Sequence, residues 1–213
     1  MSVQVGILTI PEPDEQATQV VQQKLQQSIP DAFFLLDRHV ASHQHLIEET
    51  LRRWCDEEEL DLVITIGGTL PAPGPSRHEI VPEATLAVLE RLLPGLPEAM
   101  RAHAQMQSDL ALLDRGVAGI RGRSLVINLP TGAAPALLFL GAVVDLIPAI
   151  IAHLQEQANA PLLTDVLEIE QVEEEHDQSA AALPLAQPTG LKANEFAAFL
   201  QRRGQPGEGK SAE

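Results

Sequence analysis

The chain is short of three things, and each shortage removes a class of protein. It has one cysteine in 213 residues, so an internal disulfide framework and a multi-cysteine metal site are both excluded. It has 14 basic residues against 30 acidic ones, a formal charge of -16. That balance argues against broad nucleic-acid binding, which depends on cationic side chains displacing counterions from phosphates. It also lacks a sustained apolar run. Ala133 to Leu154 comes nearest, but Asp145 and Pro148 interrupt it and Gly141 weakens it. A span needs about 20 apolar residues, and an unpaired aspartate within one is costly. The reading here is a buried helix and no membrane partner. No basic segment precedes the apolar start, so no secretory signal is expected and the location is taken as cytoplasmic. Cys55, inside a helical run, reads as a helix residue in a reducing compartment.

What is present suffices for a core. Hydrophobic residues make up 45% of the chain. The length fits one domain with an appendage. Charge shows where the two divide. Residues 1–155 carry 19 acidic and 10 basic residues, for -9, whereas residues 156–213 carry 11 and 4, for -7. We therefore expect a domain over 1–155 and an acidic C-terminal extension over 156–213, partly disordered. In the extension the pattern suggests one strand over 163–172, an acidic run, an alanine- and proline-rich linker, a short helix over 194–202 and a disordered tail.

Along the first part, apolar ribbons alternate with amphipathic stretches. Strands are expected at 3–10, 33–36, 60–66 and 124–129. Helices are expected at 15–27, 45–59, from Pro82 to Leu93, at 98–107 and, as one long element, at 133–155. Near-continuous apolar strands separated by helices predict a mainly parallel sheet covered on both faces, a three-layer α/β/α domain.

Four groupings could carry chemistry. Gly67-Gly68-Thr69 follows a buried strand, where two glycines allow close backbone approach to a ligand. A strand-end turn alone is the plainer reading, and neither the P-loop nor the dinucleotide glycine fingerprint is present. Asn128-Leu129-Pro130-Thr131-Gly132 ends another strand ahead of a helix whose free N–H groups suit an anion; capping alone explains it equally. Arg115, Arg121 and Arg123 lie in a glycine-rich stretch, as anion contacts or as ordinary surface charge. His39, His43 and His45 near Asp37 hint at metal binding. However, they lack a firm fourth ligand, and His43 and His45 are two apart at a helix start, facing different ways.

Taken together, these segments resemble a known family. Leu60-Asp61-Leu62-Val63-Ile64-Thr65-Ile66-Gly67-Gly68-Thr69, Ile80-Val81-Pro82-Glu83-Ala84-Thr85 and Leu96-Pro97-Glu98-Ala99-Met100-Arg101 are similar to stretches of the molybdenum cofactor biosynthesis (Mog/MoaB) family. So are Leu113-Asp114-Arg115-Gly116-Val117-Ala118-Gly119-Ile120-Arg121-Gly122 and Leu125-Val126-Ile127-Asn128-Leu129-Pro130, in family order over roughly residues 3–154.

The resemblance implies a molybdopterin-binding α/β domain. Its members adenylylate molybdopterin with ATP and Mg²⁺, releasing pyrophosphate, and are commonly trimers or hexamers. Related domains occur in molybdenum insertion enzymes and competence-damage-inducible proteins. The implied partners are the small-molecule pterin, further copies of the chain and other molybdenum cofactor enzymes. On this chain the resemblance assigns Gly67, Gly68 and Thr69 to phosphate or pterin contact. Asn128, Pro130, Thr131 and Gly132 form the second ligand loop. Glu79 is the catalytic carboxylate and metal ligand, Arg115 an anion contact, and Asp37 a further candidate.

The chain also departs from the family. Thr9-Ile10-Pro11-Glu12-Pro13 replaces the usual Ser-Asp turn. Leu70 stands for the last glycine of Gly-Gly-Thr-Gly. The loop to Glu79 is longer, and Thr131-Gly132-Ala133 replaces Gly-Ser-Pro. Every departure falls in a ligand-facing loop. A catalytically degenerate pterin-binding homologue and a structural oligomeric homologue therefore stand beside the enzyme.

Overall fold

A computed structural model describes residues 2–71, 79–157 and 160, all of them within one compact unit. The strand, linker and helix expected within 161–213, and residues 72–78 of the loop before Glu79, lie outside the described residues. Among the described residues six strands and six α-helices alternate: β1 (Val3–Thr9), α1 (Glu15–Ser28), β2 (Ala32–His39), α2 (Gln44–Asp56), β3 (Leu62–Ile66), α3 (Val81–Leu86), β4 (Arg91–Leu92), α4 (Gly95–Gln105), β5 (Ala118–Arg121), β6 (Ser124–Leu129), α5 (Ala133–Gly141) and α6 (Ile147–Leu154). The strands form one sheet in the order β2-β1-β3-β6-β5-β4. β2, β1, β3 and β6 are parallel; β5 and β4 extend the sheet antiparallel.

Side-chain alternation along the strands separates two cores. Val5 and Ile7 of β1, Leu62, Ile64 and Ile66 of β3, and Leu125, Ile127 and Leu129 of β6 pack under α1, α4, α5 and α6. On the other face Leu8, Val63 and Val126 meet α2 and α3. This is the expected three-layer α/β/α architecture. Trp54 lies close on the second face because Gly6 has no side chain: a Cβ there would stand 2.5 Å from Leu60 Cδ1 and 2.9 Å from Trp54 Cε3.

Four expected elements come out differently. The helix expected from Pro82 to Leu93 stops at Leu86. The chain then turns, and Glu90 N–H and Leu93 N–H donate to Ile120 O and Ala118 O, making β4 an edge strand. Leu86 and Leu92, both within the expected helix, are exposed. Pairing with β5 overrides the helical period. Second, the helix expected at 98–107 starts earlier, at Gly95, with Pro94 as its N-cap and Pro97 in its first turn, where proline sacrifices no intrahelical bond. Third, the long helix at 133–155 is two helices bent by 51° around a short 3₁₀ turn. Gly141 ends the first, and Pro148 sits in the opening turn of the second. Among the described residues no single helix is long and apolar enough to cross a membrane. β2 runs on to His39, past Asp37-Arg38, because β1 supplies partners along its whole length.

Candidate functional site

The carboxyl ends of β1, β3 and β6 are laced together one residue beyond the ladders. Ile10 N–H donates to Ile66 O, and Gly67 N–H to Leu129 O, each at 2.9 Å. Such strand ends are where open α/β sheets bind ligands. Gly67 has φ +110°, and a Cβ on it would lie 2.0 Å from Ile10 O, so only glycine fits. Gly68 also has positive φ, at 64°. Thr131 Oγ1 stands 3.3 Å from where a Gly67 Cβ would be, so the two expected ligand loops face each other.

Two of the side chains assigned to ligand contact turn inward. Thr69 is buried, and its hydroxyl donates to Asp114 Oδ2 at 2.5 Å. Asn128 is also buried. Its Nδ2 donates to Thr65 Oγ1 (2.8 Å) and Thr85 Oγ1 (3.0 Å), and its Oδ1 accepts from Val117 N–H (3.1 Å). It knits β3, α3 and the approach to β5 and has no donor left over. Pro130 is buried too; Thr131 is exposed, and Gly132 has φ +95°. The Gly132 N–H, at the start of α5, already has an anion. It donates to Asp14 Oδ2 at 3.2 Å, while Asp14 Oδ1 caps α1 through Ala17 N–H at 2.9 Å.

Glu79 and Arg115 come together. Arg115 N–H donates to Thr69 O (3.0 Å), which sets the arginine beside the glycine turn. From there its Nη1 donates to Glu79 O at 3.3 Å and lies 3.9 Å from Glu79 Oε2, and its Nη2 pairs with the Glu83 carboxylate. Ser42, His43 and His45, from the start of α2, complete a cleft of about 420 Å³ around them. Leu70, Leu110, Pro130, Pro135 and Phe139 line a separate apolar cleft of about 340 Å³. A larger groove of about 580 Å³ lies between α1, α4 and α5 and carries none of the strand-end residues.

Asp37 is elsewhere. It lines a cleft of about 200 Å³ with Thr9, Asp14, Thr18, Arg38 and His39, so the histidine group is divided between two clefts. Desolvation raises its carboxyl above the usual aspartate range. No group of three or more His, Cys, Asp or Glu among the described residues is arranged to hold a metal. Arg121 is committed to Asp56 through two bonds, at 2.8 and 2.6 Å. Burial pushes the Cys55 thiol up to about 11, with Ser124 opposing in part, which keeps it protonated and unreactive.

Sequence reasoning misses Asp114, Glu83, Asp14 and the His43–His45 edge as parts of the site. Asp114 is 5% exposed. Desolvation raises its carboxyl, opposed by the Thr69 hydroxyl, the Gly116 N–H and the Arg101 charge. Glu83 carries a readable signal, as an acidic residue in the first turn of the expected helix. Asp14 carries one as well, as an N-cap residue just ahead of a helix.

These features define a class, a doubly wound α/β domain with glycine-bearing loops at the carboxyl ends of its central strands. The family model described as "Probable molybdopterin binding domain" matches residues 16–151, and the chain belongs to that family. It is 47% identical over 91 residues to the molybdopterin adenylyltransferase of Helicobacter pylori strain J99, covering 43% of this chain and 49% of that protein. With the molybdopterin adenylyltransferase of Haemophilus influenzae it shares 40% identity over 116 residues, 54% of this chain and 57% of the relative. The chain thus spans about half the length of the curated relatives it matches. The crystal structure of the molybdopterin biosynthesis enzyme MoaB from Thermus thermophilus superposes with a TM-score of 0.64 at 33% identity, covering 73% of this chain and 98% of that one.

Proposed function

We propose that the chain is a molybdenum cofactor biosynthesis protein that binds molybdopterin and adenylylates it. A phosphate oxygen of the pterin attacks the α-phosphorus of ATP, the bond to the β-phosphate oxygen breaks, and pyrophosphate leaves. The observation that carries this reading is the meeting of Glu79 and Arg115 at the edge of the Gly67–Thr69 turn, anchored by the Arg115 N–H to Thr69 O bond. The relatives named molybdopterin adenylyltransferase support it.

In this reading Gly67 and Gly68 let the backbone approach the phosphates, Thr131 and Gly132 border the pterin, and Arg115 offsets charge on the leaving group. The donor set suits a hard cation: Glu79 and Glu83 are both carboxylates, and Glu83 Oε2 is buried with no hydrogen-bond partner. Mg²⁺ held by Glu79, with Glu83 beside it, would neutralise phosphate charge. Thr69 and Asn128 act as supports for the turn, by virtue of their inward bonds. Asp37 borders a separate small cleft and has no step in this mechanism.

The test is an adenylyl-transfer assay with molybdopterin, ATP and Mg²⁺. Glu79→Gln is expected to lower turnover at least about 100-fold while leaving pterin binding in place. Pterin binding without AMP transfer by the unaltered chain would sink the enzyme and favour a degenerate binding homologue. That second reading draws on the Gly132 N–H already being held by Asp14 and on Leu70 at the turn. Failure to bind the pterin at all would favour a structural oligomeric domain.

The proposal extends to organisation. It takes residues 1–155 as the functional domain and 156–213 as an acidic extension, consistent with a family match ending at 151. It also includes a cytoplasmic homo-oligomer, trimer or hexamer, working alongside other molybdenum cofactor enzymes.

A further inference from the structure

The root of Arg115 is fixed and its tip is not. Its N–H is bonded to Thr69 O. The preceding Asp114 is clasped at both carboxylate oxygens, by the Thr69 hydroxyl and by Gly116 N–H at 2.9 Å. Arg101 Nη1 reaches the Asp114 and Gly116 carbonyls from behind, at 3.5 and 3.3 Å. The side chain, by contrast, is 43% exposed, and among the described residues its guanidinium meets Glu79 and Glu83. The Glu83 side chain is exposed to the same extent. An arginine on an acidic partner cannot give the same two-armed donor face to a phosphate. A pair this exposed is held weakly, so a stronger anion can exchange for it.

We propose that Glu83 masks Arg115 and so sets how tightly the cleft takes anions. An anionic ligand gains the guanidinium only by displacing the Glu83 carboxylate. That displacement costs the same whichever anion takes the guanidinium, so it weakens phosphate and polyphosphate binding by one common factor. This rests on the adenylyl-transfer reading of the same cleft and adds a residue that tunes its affinity for phosphate groups.

The experiment is calorimetric titration of the full chain with inorganic pyrophosphate and, separately, inorganic phosphate. The unaltered chain is expected to prefer pyrophosphate. Glu83→Gln should tighten pyrophosphate binding about threefold to fivefold, the worth of an exposed ion pair. It should tighten phosphate binding by a similar factor, because the same carboxylate is removed from the same guanidinium. Arg115→Gln should abolish binding of both, and the double variant should behave like Arg115→Gln alone. Arg115→Lys, which keeps the charge without the fork, replaces it if the glutamine variant does not fold.

Unchanged affinities in Glu83→Gln overturn the proposal. So does a loss resembling Arg115→Gln, which would make Glu83 a mere support for the arginine. Binding of neither probe by any form overturns it as well. The adenylyl-transfer assay is read separately. AMP transfer with Glu83→Gln affinities unaltered removes this proposal and leaves the enzyme; the expected shifts without AMP transfer do the reverse.

Discussion

Asp114 shows how one carboxylate serves two purposes at different cost. Its oxygens hold the Thr69 hydroxyl and the Gly116 N–H, and so fix the turn from which Arg115 projects. Being buried, it is penalised when charged, and its carboxyl titrates above the usual aspartate range. The sign follows from that direction. A raised folded-state value means that the folded chain takes up the proton first, so its contribution to stability is present at low pH and is lost as pH rises through the raised value. Thermal unfolding of the unaltered chain and of Asp114→Asn, compared from pH 7 downward, should therefore show the unaltered chain gaining on the variant as pH falls. A constant difference between the two would contradict the raised value. Asn128 has no such liability, because an amide satisfies three partners without charge.

At the scale of elements, Asp14 joins two helix starts that are 118 residues apart in sequence. Asp14→Ala should cost about 1–2 kcal/mol, the usual range for a lost N-cap, measured by chemical denaturation. A loss under about 0.5 kcal/mol would mean that water replaces the carboxylate at both helices.

The parallel strands, the helices between them and the two glycine-bearing strand ends were legible because each is written locally, in apolar runs and turn residues. The family resemblance assigned Glu79 and Arg115 separate roles, but their pairing was not legible, since 36 residues separate them. The Asp14–Gly132 bond and the Thr69–Asp114 bond had no local signature as contacts. Arg91 and Leu92 illustrate the opposite failure: the local pattern said helix, and two backbone bonds to β5 made a strand.

On the scale of the whole molecule, the charge of -16 is the dominant long-range term. Self-repulsion of that size weakens with added salt, because the Debye length shortens. The melting temperature should rise by about 2 °C or more between roughly 20 mM and 200 mM NaCl. A fall would point instead to stabilisation by ion pairs such as Arg121–Asp56. The same field repels anionic ligands, so binding must rely on short-range donors set in a rigid frame. The lacing of Ile10 to Ile66 and of Gly67 to Leu129 supplies that frame. Asp14 adds a mechanical linkage to it. An anion that takes the Gly132 N–H displaces one oxygen of the carboxylate whose other oxygen caps α1, so loading at one strand end is expected to register as changed amide exchange at Ala17.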